Sequence, residues 1–159
     1  MTKGWQLSGG LQVQSGSPWN VTVGFDQAGT AVAGSERPNL VMPADQIMTG
    51  DINHWVNPAG FSLPAPGTLG NLQRDFLTGP GIVNLDYAVL KETPIKEQVR
   101  LQFRAEFFNL LNHANYALPI ATAFAQAPNG GGTPNPTFGK VLATTTSSRQ
   151  IQFALKVLF

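Results

Sequence analysis

EQVRLQFRAEFFNLLNH, Glu97 to His113, exchanges polar and apolar residues almost one for one. Val99, Leu101, Phe103, Ala105 and Phe107 fall on one side, and Arg100, Gln102, Arg104 and Glu106 on the other, the period of two that a pleated strand requires. A soluble core and a lipid bilayer both accept such an apolar face, so its surroundings decide. Toward the N-terminus, IVNLDYAVLK sets Val83, Leu85, Tyr87 and Val89 against Asn84 and Asp86. The ETPIKE between the two stretches is short and polar and holds a proline, which suits a tight reversal. A hairpin is expected, with Asp86 opposite Arg104 or Gln102 and Asn84 opposite Glu106.

The same alternation recurs at both ends of the chain. Near the start, Trp5, Leu7, Leu11 and Val13 alternate with Gln6, Ser8, Gln12 and Gln14. At the end, Ile151, Phe153, Leu155, Val157 and Phe159 face away from Gln150, Gln152, Ala154 and Lys156. Four long strands are therefore expected at about 4–15, 80–91, 98–112 and 149–159. Between them lie two long connections, about 16–79 and 113–148, in which proline and glycine recur too often for long regular elements. A short strand is expected at Asn20 to Phe25, and KVLATTT can extend another. No linker or internal domain boundary is visible.

The totals restrict the function. A chain of 159 residues and 17.0 kDa has room for one ordinary domain. A net charge of +1 with 12% charged residues gives no footprint for nucleic acid. The chain has no cysteine, so thiolate metal sites and disulfides are excluded. No apolar run is long enough for a membrane-crossing helix, and the first residues lack the apolar core of a secretory signal, so an export signal is expected upstream. Low charge with Gly 17 and Pro 12 favours an all-β fold. His54 and His113 stand alone without metal-ligand spacing, and neither a nucleophile elbow nor a phosphate-cradling loop occurs. Asp45 and Asp51 are isolated, and Glu106 is expected to pair with Arg104. No catalytic residue, metal or cofactor is expected, and the chain is read as non-enzymatic.

Three features favour lipid over a core. The strand beginning at Val99, carried to Leu111 and tilted by about 40°, rises about 30 Å, enough to cross the hydrocarbon of a bilayer. The connections alternate long, short, long, as in outer-membrane barrels with long external loops and short periplasmic turns. Trp5 and Phe159 are expected at one height, in an interfacial aromatic girdle. The fold class is thus an antiparallel transmembrane β-barrel segment with two long extracellular loops. Asn84, Asp86, Arg100, Gln102, Arg104 and Glu106 would line its watery lumen. Within the loops, Trp19, Arg37, His54, Trp55 and Phe61 are candidates for touching a ligand. The competing reading, and the favoured one, is that these aromatics pin the loops onto one another.

Taken together, GWQLSGGLQVQSGSPW, GSERPNLV, the run from Trp55 to Glu92, VRLQFRAEFFNLLNHANY, FGKV and SSRQIQFALKVLF resemble the C-terminal end of TonB-dependent outer-membrane receptors. The likeness is strongest to the large acidobacterial type with a carboxypeptidase-regulatory-like N-terminal domain. It covers nearly the whole chain, and its most specific parts are LQFRAEFFNLLNH and RQIQFALKVLF. The resemblance implies a barrel of about 22 strands, closed by a plug on which a periplasmic TonB protein pulls to admit an iron chelate, a cobalamin or an oligosaccharide. On that reading the chain supplies the last four strands and is a fragment lacking signal, plug and TonB-contacting segment. Its partners would be lipid and the missing strands of the outer membrane of a Gram-negative bacterium. The alternating Phe153, Leu155, Val157 and terminal Phe159 resemble the signal read by barrel-assembly machinery. The rival readings are a self-assembling multi-chain outer-membrane anchor and a soluble carbohydrate-binding β-sandwich.

Overall fold

The structure, a computed structural model, describes residues 3–128 and 130–159. Its strands are β1 (Trp5–Gln14), β2 (Pro18–Trp19), β3 (Thr22–Val23), β4 (Asn39–Leu40), β5 (Met48–Asp51), β6 (His54–Val56), β7 (Phe61–Ser62), β8 (Leu77–Thr78), β9 (Ile82–Lys96), β10 (Val99–Phe108), β11 (Thr122–Gln126), β12 (Gly132–Pro134) and β13 (Gln150–Leu158). The chain forms two compact units. One comprises residues 1–15, 81–115 and 144–159; the other comprises residues 16–80 and 116–143.

The first unit is a four-stranded antiparallel sheet in the order β1-β9-β10-β13. From Arg100 onward its register places odd residues opposite odd and even opposite even, as in Leu7↔Val89, Ala105↔Val89 and Phe103↔Leu155; Val99↔Lys96 beside the turn is the exception. Directly paired residues share a face, so four separate period-two patterns merge into one two-sided sheet. The hairpin itself differs from expectation. β9 runs on through ETPIK to Lys96, and the reversal is made by Glu97 and Gln98. Arg104 therefore lies opposite Leu90, and Glu106 opposite Ala88. Asp86 instead faces Gly10, and Asn84 faces Gln12. Pro94 sits within the strand because β1 stops pairing at Trp5↔Lys91, leaving an edge of β9 where a missing N–H costs nothing. A register shift follows at Val99/Arg100. Trp5 shares its row with Lys91, Phe103 and Leu155, so Phe159 lies further toward the tight turn than the common girdle height expected for the two.

β10 ends at Phe108, short of the expected 112, and asparagines end it. Asn109 and Asn112 take positive φ of 48° and 51°, a conformation asparagine tolerates better than most residues. The Asn109 amide N–H donates to Asp86 Oδ1 at 2.9 Å, and its side-chain NH2 donates to the carbonyls of His113 and Ser147. Asn115 is fully buried. Its Oδ1 accepts from the Val83 amide at 2.8 Å and its Nδ2 donates to Thr146 Oγ1 at 2.9 Å, joining β9 to the segment entering β13. Replacing Asn115 with Leu strands a part-buried amide at Val83 and the part-buried Thr146 hydroxyl. A loss of about 1–3 kcal/mol is expected in denaturant titration of the folded chain, and a loss below about 0.5 kcal/mol would remove this network from the account.

The second unit is built from both long connections, which carry the hydrophobic core: Val21, Val23, Ile47, Val56, Leu72, Leu77 and Phe124 among others. The short strands pair as β12-β11-β3, β2-β8, β4-β7 and β5-β6. The expected strand at Asn20 to Phe25 is confined to β3, and KVLATTT forms only an isolated bridge at Thr144. Two acids organise the turn Asp26 to Glu36. Asp26 accepts the amides of Thr30 and Ala31, both at 2.8 Å, while the 5%-exposed Glu36 accepts those of Gln27 and Ala28 and the Thr30 hydroxyl. Burial pushes the Asp26 carboxyl up, but the Ala31 and Thr30 amides outweigh it and hold it below the usual carboxylate range. A lowered folded value stabilises the turn above the ordinary Asp value of about 3.9, and that contribution disappears as pH falls through the lowered value. Proteolysis within residues 26–36 is therefore expected to rise below about pH 4 and to lose that acid step in Asp26→Asn.

Candidate functional site

The two faces of the first unit define its chemistry. Leu7, Leu11, Val13, Phe153 and Leu155 on the odd face are each more than 60% exposed, and Phe103 stacks on Phe153 with centroids 6.1 Å apart. Gly9 leaves room there for the neighbouring Tyr87 ring, whose Cδ2 would lie 3.0 Å from an added Cβ. An apolar face this extensive requires cover, and among the described residues of its own unit no second layer of strands lies on it. Lys91 is the charge on that face; its Nζ lies 5.1 Å from the Trp5 ring centroid and donates to the Lys3 carbonyl, so it reaches past the apolar band.

The even face is polar along the same strands. Gln102 donates to Glu92 across the hairpin at 2.8 Å. Arg104 and Glu106 form an ion pair at 2.5 Å along β10, while Asn84 donates to Asp86 at 3.1 Å. Arg100 lies on the same face, level with Pro94 and Leu158. Gly10 and Ser8 beside Asp86, Ala88 and Arg104 leave a shallow depression of about 300 Å³. Ten residues of β10 at about 3.3 Å each, tilted by about 40°, rise about 25 Å, the height of the apolar band of an outer-membrane barrel. A sheet apolar on one side for that height and polar on the other is the wall of a membrane barrel: the apolar side suits lipid tails and the polar side an aqueous interior.

Residues 1–152 match the family model described as an outer membrane beta barrel domain. The chain belongs to that family, and its place is the outer membrane. Comparison with curated proteins and with solved structures finds no match.

The five loop residues expected to touch a ligand do not form one site. Trp19 and Phe61 are core residues, 3% and 6% exposed. Both hold Phe138, Trp19 by stacking at 6.3 Å and Phe61 edge-on at 5.3 Å. Trp55 spends its indole N–H on the Thr78 carbonyl at 2.9 Å. His54 is exposed on β6. Arg37 lines a cleft of about 320 Å³, and Phe61 borders another of about 330 Å³. Residues that sequence reasoning passed over include Phe138, Asn115 and Glu36. Of these only Glu36 had a readable signal, since the glycines between two acids in DQAGTAVAGSE suit a turn whose amides converge on carboxylates.

Proposed function

We propose that the chain forms wall strands and ligand-facing external loops of a TonB-dependent receptor, a non-enzymatic importer of an iron chelate, a cobalamin or an oligosaccharide. The observation that carries this reading is the second unit. Both connections leave the same ends of the wall strands, and together they build a cored body with clefts, more than the mouth of a passive pore requires. The polar residues Asn84, Asp86, Arg100, Gln102, Arg104 and Glu106 would face the interior through which the substrate passes. A plug would occupy that interior and transmit the pull of TonB, while Phe153, Leu155, Val157 and Phe159 would serve recognition by barrel-assembly machinery.

The test is uptake in the source bacterium with the gene deleted, grown under limitation for each of the three nutrient classes in turn. Slower uptake of one class is expected, with the same slowing in the parent strain when a protonophore collapses the inner-membrane gradient. Unchanged uptake of all three, or uptake indifferent to the gradient, would refute active import.

A further inference from the structure

We infer that the cleft at Arg37 binds a small monoanionic carboxylate that also carries hydroxyl groups, with a sugar acid as the fitting class. Arg37 is half-buried, and among the described residues it has no ion-pair partner. Its Nε donates to the Leu72 carbonyl at 2.8 Å, which fixes the plane of the guanidinium and leaves the Nη donors uncommitted. The backbone behind it is equally constrained: a Cβ on Gly70 would fall 2.4 Å from the Pro38 carbonyl oxygen, and the Leu72 amide donates to that same oxygen at 3.2 Å. A planar fork held in place in a cleft of about 320 Å³ matches a carboxylate better than a spherical anion.

The rest of the lining narrows the ligand. Glu36 also borders the cleft. Its carboxylate accepts the Gln27 and Ala28 amides and the Thr30 hydroxyl rather than an Arg37 donor, and its negative charge in the lining disfavours a dianion such as phosphate more than a monoanion. The Thr30 and Ser35 hydroxyls have committed their protons, to Glu36 and to the Val32 carbonyl, and can only accept, which calls for hydroxyl donors on the ligand. Val32 and Leu69, 54% and 69% exposed, give the cleft an apolar rim suited to the C–H face of a ring.

This inference rests on the uptake reading only for the route the ligand then takes, because binding is measured without transport. A failed titration leaves import open, and failed import leaves the cleft open. The full chain in detergent micelles is titrated with D-glucuronate, D-glucose and inorganic phosphate by calorimetry. Saturable binding of glucuronate is expected, with glucose and phosphate much weaker. Arg37→Gln should weaken it by about tenfold or more, the loss of a charge-assisted hydrogen-bond pair. Leu69→Glu, a change on the exposed rim that leaves the fold intact, should weaken it severalfold by repulsion, and Arg74→Gln, an exposed cation elsewhere, should not. Absence of saturable binding, equal binding of glucose or phosphate, or wild-type affinity in Arg37→Gln or Leu69→Glu would each overturn the assignment.

Discussion

Arg in place of Phe103 prevents the chain from assembling into membranes, whereas Arg in place of Gln102, the next residue, leaves assembly intact. Phe103 is 39% exposed on the odd face, stacked on Phe153, in the row that also holds Leu155. A lipid-facing arginine costs about 2–4 kcal/mol at mid-height of the apolar band and less toward its edge, where Phe103 shares a row with Trp5 and Lys91; the lost stacking on Phe153 adds to it. Gln102 points to the other side, beside Glu92, where a cation meets an existing carboxylate. The measurement is the fraction of each variant that is protease-protected after insertion into lipid vesicles or native outer membrane. Phe103→Arg is expected to be degraded and Gln102→Arg protected. Equal protection would mean that the odd face is not the one turned to lipid.

The contrast between these neighbours depends on parity, which is also why the wall was so legible. A strand's faces survive any register error of an even number of residues. The expected pairing of Asp86 with Arg104 was displaced because Pro94 was read as a turn maker, when it occupies the free edge of β9. The displacement was even, so Arg104, Glu106, Asn84 and Asp86 still share a side although their partners changed. Asn109 and Asn112 shortened β10 by a backbone choice that no alternation reveals, since Leu110 and Leu111 beyond Phe108 look apolar enough to continue the strand.

The second unit was illegible for a different reason. Its core draws single residues from many short segments: Ile47 after a turn, Val56 from β6, Leu72 and Leu77 from the stretch before β9, Phe138 from a glycine-rich run. Only Val21, Val23 and Phe25 alternate over enough residues to register as a pattern, and β3 keeps just two residues of that run. Proline and glycine were read correctly as breakers of regular structure. Irregular backbone still buries side chains when its amides find partners, as Gly24 does on Phe124 and Trp55 on Gly139. The candidate ligand residues suffered from this blindness, because an aromatic in an unread loop looks the same whether it faces solvent or a core.

Phe138→Ala should therefore unfold the second unit while sparing the wall. Phe138 is 3% exposed and comes from the second connection, yet its ring sits between Trp19 and Phe61 of the first. Its neighbour Gly139 accepts the Trp55 amide at 2.8 Å and donates to the Ile120 carbonyl at 3.0 Å, so the ring and the backbone beside it join the two connections at one point. Truncating a buried phenylalanine costs about 3–5 kcal/mol, a large share of the stability of a unit this small. Trp19→Phe is the informative companion. The Trp19 Nε1 is buried without a partner among the described residues, so the smaller ring removes an unsatisfied donor and keeps most of the stacking. In hydrogen exchange, Phe138→Ala should deprotect the amides of Val23, Trp55 and Gly139 while those of β9 and β10 stay protected, and Trp19→Phe should change both sets little. Loss of protection in β9 and β10 together with the loops would show that the two units do not fold separately, and unchanged protection of Trp55 and Gly139 would show that Phe138 does not hold the connections together.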